Sequence, residues 1–301
     1  KANGYLDSLE SELRQSGIAF EIFDKIEANP LKSTAMAGGA FAKEHHCDFI
    51  VALGGGSVMD CSKAIATMAT NEGDLWDYVS GGTGKGLTYP NKPLPIIAIT
   101  TTAGTGSEVD QYGVITNAET HEKIGFGGDN ELFPKIAIVD PELMCSVPAH
   151  FTAYQGFDAL FHSTECFISN QANLMGDMYA KTAIENIGTF LARAVNSGND
   201  LEARTHVAFA NTLSGVVMTV SACTSEHSME HAMSAFHQSL PHGAGLIMIS
   251  KAYYTHFVRI HACDDRFVEM AKLLGMPNAS NPMDFITALD KLQHDCGVND
   301  L

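Results

Sequence analysis

Phe49 to Leu53 is an unbroken apolar run that opens directly onto Gly54, Gly55, Gly56 and Ser57. No other feature constrains the fold of this chain as much. A short apolar run without alternation reads as a strand covered on both faces, as in parallel sheets. The glycines permit a sharp turn, and Val58 to Thr70 continues at helical spacing. The surrounding chain repeats the alternation. Leu6 to Gln15 and Pro30 to His45 read as helices, and Ile18 to Phe23 as a strand by its period of two. Pro95 to Ile99 and Ile136 to Val139 read as further buried strands. Strand–helix alternation of this kind predicts an α/β domain with a mainly parallel sheet.

After Pro148 the texture changes to long helical patterns without a convincing strand. The expected organisation is an α/β nucleotide-binding domain over residues 1–148 and an all-α domain over 149–301. A ligand cleft is expected where the two meet, beyond the carboxyl ends of the strands. The chain starts on a helical pattern where a doubly wound domain starts on a strand, so a first strand is expected to be missing. The length of 301 residues, with 45% hydrophobic and 18% charged, accommodates two such cores.

Composition excludes several classes of function. A net charge of −17 with scattered basic residues opposes nucleic acid and anionic membranes. Val207 to Cys223 approaches the length of a membrane span, but Asn211, Thr212, Ser214, Gly215, Thr219 and Ser221 suit a helix packed inside a protein. The seven cysteines form no C-x-x-C pair, which fits reduced thiols in the cytoplasm.

Two loops suit a phosphate-bearing ligand. Gly54 to Ser57 lies where a helix N-terminus offers free N–H groups, with Ser57 a candidate cap and Asp60 in the first turn. It is not the G-x-G-x-x-G pattern of the usual dinucleotide fold. Thr100 to Glu108 follows another strand and is dense in hydroxyls and small residues.

The second half carries candidate metal ligands. Asp158 and His162 stand four apart, on one face of a helix, where they could share an ion or simply bond each other. His227 and His231 form a second such pair, and His242 follows in Pro241-His242-Gly243. Imidazole-rich ligation suits iron(II), zinc or nickel better than magnesium or calcium.

With these segments assembled, the chain resembles the iron-containing (group III) alcohol dehydrogenases. The resemblance is carried by Gly54 to Ser57 with Asp60 and Lys63, by Thr101 to Glu108, by Gly156 to His162, and by His227 to Gly245; Asn29-Pro30 matches as well. It implies an α/β domain followed by a helical one, a homodimer, and a metal held by Asp158, His162, His227 and His242. The implied metal is Fe(2+), with Zn(2+) in some members. Implied contacts to NAD(H) or NADP(H) are Asn29, Gly55, Gly56, Ser57, Asp60, Thr101, Thr105, Val114 and Lys123. The family residue that separates the two cofactors lies after the absent first strand, so both stay open. The family's final helices are also expected to be absent after Leu301.

The resulting expectation is hydride transfer between NAD(P)H and a short-chain aldehyde or primary alcohol, of the butanol, propanediol or lactaldehyde type. His231 is expected to pass a proton between alcohol and solvent, with His237 second, and Phe161 and Phe236 to limit substrate size. Alternatives on the same fold are a glycerol-type polyol dehydrogenase and a dehydroquinate-synthase-like enzyme, whose metal sets differ. An alternative of another class is a non-catalytic metal- or nucleotide-binding protein.

Overall fold

The structure, a computed structural model, describes residues 3–301. Its contacts divide the chain into two units. The first holds residues up to 101 and 111–139; the second holds 102–110 and 140–301.

In the first unit α1 (Tyr5–Gln15) and α2 (Lys32–Glu44) precede β1 (Ile50–Gly54), α3 (Gly56–Thr70) and the short α4 (Leu75–Tyr78). Then come β2 (Ile96–Thr100), β3 (Tyr112–Asn117), β4 (Glu122–Gly127) and β5 (Ile136–Val139). Strands β1, β2 and β5 form a parallel sheet in that order, with Ala52 opposite Ala98 and Ala98 opposite Ala137. The apolar runs expected to be strands are those strands, but β5 is exposed rather than buried, with Ile136 54% and Ile138 43% accessible.

Helix α3 is buried on two sides. Met59 and Ala66 pack with Ala52, Ile96 and Ala98 of the sheet. Cys61, Ala64, Ile65 and Met68 pack with Ala35 and Ala42 of α2, with Trp76, and with Ile115 and Phe126 of the antiparallel hairpin β3–β4. Small residues on α3 let both neighbours approach it closely.

Two expectations are corrected. Ile18 to Phe23 forms no strand and pairs with none among the described residues. It lines an apolar cavity of about 500 Å³ together with α1 and Ile50, Val51 and Leu53 of β1. A ladder needs a partner about 4.8 Å away, so the period of two here reflects one apolar face rather than pairing. The hairpin β3–β4, conversely, was not anticipated. Gly113, Gly125 and Gly127 and the charged pair Glu122-Lys123 dilute its apolar alternation.

The second unit is helical: α5 (Ala149–Ile168), α6 (Leu174–Asn196), α7 (Leu201–Val220), α8 (Glu226–Phe236), α9 (His242–Arg259), α10 (Asp264–Leu273) and α11 (Met283–Asp295). Asn173 and Asp200 cap α6 and α7 by accepting from Gly176 N and Ala203 N. The run from Val207 is helical as far as Val220, the end of α7, and Ser221 to Cys223 lie beyond it. Among the described residues no helix is long and apolar enough to cross a membrane.

Candidate metal and cofactor sites

Helix α5 buries most of its length and carries no Lys or Arg. Along it Asp158, His162 and Glu165 recur at i, i+4 and i+7, a polar stripe on one face. The stripe meets His227, in the first turn of α8, and His242, the first residue of α9. Asp158 Oδ1 lies 3.2 Å from His227 Nε2 and 3.5 Å from His242 Nε2. One ligand atom from each of these three residues falls within 4.8 Å of the others.

His162 stands beside this trio rather than within it. Its Nδ1 is 3.3 Å from Asp158 Oδ1, and its ring stacks on His227 with centroids 3.9 Å apart. That buried Nδ1 has no hydrogen-bond partner. His231, one turn beyond His227, lies with its ring 5.4 Å from that of His242 and is partly exposed. His237 stands at the C-terminal cap of α8.

The electrostatics are those of a cation site. Burial alone would raise the Asp158 carboxyl, yet His162, His242 and His227 hold it well below the usual carboxylate range. Burial and the neighbouring His227 push His162 down to about 3. Burial also opposes charge on His227, but Glu165 and Asp158 outweigh it and raise the ring to about 10. His227 Nδ1 faces Glu165, and His242 Nδ1 faces Glu230. If both rings donate through Nδ1, two imidazole lone pairs converge on a carboxylate oxygen. Such a set of acceptors is stable only with positive charge among them, from a proton or a metal ion. The orphaned His162 Nδ1 adds a further free donor atom, so the residues fit a divalent ion.

Sequence reasoning missed Glu165 and Glu230 as members of this site. Glu165 had a usable signal, a carboxylate in register with Asp158 and His162. Glu230 had one as well, three residues after His227 on a helix. Phe161 is corrected: it is fully buried against Phe157 and Tyr254 and walls no open site. Phe236 is largely exposed.

The glycine turn begins α3 with Gly55 at the cap position and no side-chain cap, so Ser57 does not fill that role. Thr101 N donates to Gly54 O at 2.9 Å, drawing Thr101 to the end of β1 beside the turn. Asp60 Oδ2 accepts from Val114 N at 2.9 Å, and Lys63 Nζ donates to Tyr112 O. Lys123 Nζ reaches Asn29 Oδ1 at 3.1 Å, both side chains buried, with Asn29 at a φ of 51°. These bonds fix α3 and the turn before α2 onto the hairpin.

Thr105 belongs to the second unit, where Ser107 N donates to its hydroxyl at 3.2 Å. This loop is anchored on α7. Asn211 accepts from Gly106 N at 2.8 Å and donates to Glu108 at 2.8 Å. A Cβ on Gly104 would meet Asp158 Oδ2 at 3.1 Å, so the loop lies against the carboxylate of the trio.

Residues 1–141 match the model of iron-containing alcohol dehydrogenases, and residues 152–300 match the C-terminal model of the Fe-containing alcohol dehydrogenase family. The 1,3-propanediol dehydrogenase of Klebsiella pneumoniae is 36% identical over 98% of this chain and 76% of its own length. The chain belongs to the iron-containing alcohol dehydrogenase family. It is therefore an oxidoreductase of that family, and its α/β and helical units are those of the family's structures. The NAD-dependent methanol dehydrogenase of Bacillus methanolicus is 31% identical over 99% of this chain and 77% of its length. The crystal structure of an archaeal halo-thermophilic alcohol dehydrogenase from a Red Sea brine pool superimposes with a TM-score of 0.94. It is 32% identical, over 99% of this chain and 77% of that one.

Proposed function

We propose that the protein interconverts short primary alcohols and their aldehydes with NAD(H). A divalent ion, iron(II) ahead of zinc, would be held by Asp158, His162, His227 and His242. The observation that carries this reading is the approach of His227 Nε2 and His242 Nε2 to one buried carboxylate oxygen of Asp158. Relatives named for 1,3-propanediol and methanol support the substrate class, and the NAD-dependence of the latter supports NAD(H). When bound, the ion would offset negative charge developing on the substrate oxygen, and the nicotinamide would give or take hydride.

The chain's own residues have separate tasks. Asp158 supplies the one formal negative charge among the four ligands, of which Asp158, His162 and His227 are buried and His242 is partly exposed. Gly55, Gly56 and Ser57, at the start of α3, offer backbone N–H groups to a pyrophosphate. Thr101 and Thr105 add hydroxyls, and Asn29, Asp60, Val114 and Lys123 complete the cofactor contacts. His231, partly exposed beside His242, suits proton exchange with solvent. A homodimer in the cytoplasm completes the reading, supported by the family resemblance and by seven cysteines without a disulfide.

His242→Ala tests the function. Loss of the ion removes several kcal/mol of charge stabilisation, so turnover of an aldehyde panel should fall by about 10³-fold or more. NADH binding, followed by fluorescence, should persist. Unchanged turnover overturns the metal assignment. A non-catalytic binding protein would show no change at the NADH absorbance band with any aldehyde.

A further inference from the structure

Resting on the metal reading above, we propose that Glu165 and Glu230 are positioning residues for the ion: each carboxylate holds Nδ1 of one histidine so that its Nε2 faces Asp158. Neither glutamate is among the four proposed ligands, and both are fully buried. A buried carboxylate is costly unless it is paired and hydrogen-bonded. Here two of them, from different helices, each face the outer nitrogen of a different histidine.

Glu165 reaches across from α5. One oxygen accepts from Thr224 Oγ1 at 2.9 Å and Glu226 N at 3.0 Å; the other accepts from His227 N at 3.1 Å and faces His227 Nδ1. The carboxylate therefore caps the first turn of α8 and orients the ring of His227 at once. With that carboxylate accepting from Nδ1–H, Nε2 is the nitrogen left to face an ion. That nitrogen is the one 3.2 Å from Asp158.

Glu230 repeats the arrangement across the turn from α8 to α9. Its Oε2 faces Nδ1 of His242, leaving Nε2 at 3.5 Å from the same Asp158 oxygen. A carboxylate behind a ligating imidazole selects its tautomer, stops the ring from rotating and raises the basicity of the coordinating nitrogen. In His162 the nitrogen nearest that Asp158 oxygen is Nδ1 instead, at 3.3 Å.

The deciding variant is Glu230→Gln, because Glu165 also caps a helix. Zinc affinity of the metal-free chain is measured by competition with a chromogenic chelator, and ligand geometry by the visible spectrum after Co(II) loading. Glu230→Gln should weaken zinc binding about ten- to a hundred-fold and shift the Co(II) bands, with metal-free Tm and NADH affinity retained. Glu165→Gln should weaken zinc binding on the same scale. His242→Ala separates the two readings. If His242→Ala loses zinc while Glu230→Gln binds it like the parent with an unchanged Co(II) spectrum, the positioning role is overturned. If His242→Ala binds zinc as tightly as the parent, the metal reading fails and this proposal with it.

Discussion

Asp158 and Glu122 are carboxylates in opposite surroundings. Asp158 sits among imidazoles in the helical unit, while Glu122 begins β4 and gathers neutral donors. Trp76 Nε1 reaches Glu122 at 3.0 Å, Thr83 N at 2.7 Å, and the hydroxyls of Thr83 and Thr120 at 2.6 Å each. Burial opposes its charge, but these bonds win and lower its pKa from 4.5 to about 2. A depressed carboxylate contributes stability that is present above its unfolded pKa and lost as pH falls through its folded one. The contribution of Glu122 is therefore full at neutral pH and drains away between 4.5 and about 2. Glu122→Gln should unfold at lower urea than the parent at neutral pH, with the gap closing across that window. A gap independent of pH would show that ionisation of Glu122 contributes nothing. The four proposed ligands could be picked out as residues by spacing and resemblance. Their supporting glutamates were not, because a lone Glu on a helix is by default a solvated one.

At the scale of elements, apolar periodicity located the helices α1, α2 and α3 and the parallel strands β1, β2 and β5. It failed where pairing depends on what lies alongside. Ile18 to Phe23 has the pattern of a strand without a partner, and β3–β4 has partners without a strong pattern. The loop 102–110 shows another limit. Its glycines read as openings for a ligand, yet Gly106 serves a close contact with α7. It adopts a φ of 63°, and a Cβ on Gly215 would lie 2.2 Å from its carbonyl oxygen. Gly215→Ala should force the loop away from α7, on the scale of about 1–3 kcal/mol for overpacking. The expected readout is a Tm lower by several degrees. An unchanged Tm would mean that the loop relaxes freely.

Across the whole molecule, the chain leaves its α/β unit after Thr101, contributes 102–110 to the helical unit, returns for 111–139 and then departs for good. Sequence texture marks only the last of these passages, near Pro148, since a nine-residue excursion carries no compositional signature. Net charge acts at this scale too. At −17 the chain is repelled by polyanions. It should pass unretained through a heparin column at low salt and leave duplex DNA unshifted; retention that salt reverses would reveal a basic patch that composition conceals.

Sequence alone determined what depends on neighbours along the chain. Periodicity set the helices and the parallel strands, glycine content set the turn before α3, and i, i+4 spacing placed Asp158 with His162 and His227 with His231. Tertiary structure decided what depends on distance through space. It brought His227 and His242 to one oxygen of Asp158, and it set Glu165, sixty-two residues before His227, behind that ring. The reason is physical: local conformation follows from backbone geometry and burial pattern, whereas the orientation of an imidazole follows from which acceptor the packing of three helices leaves beside it.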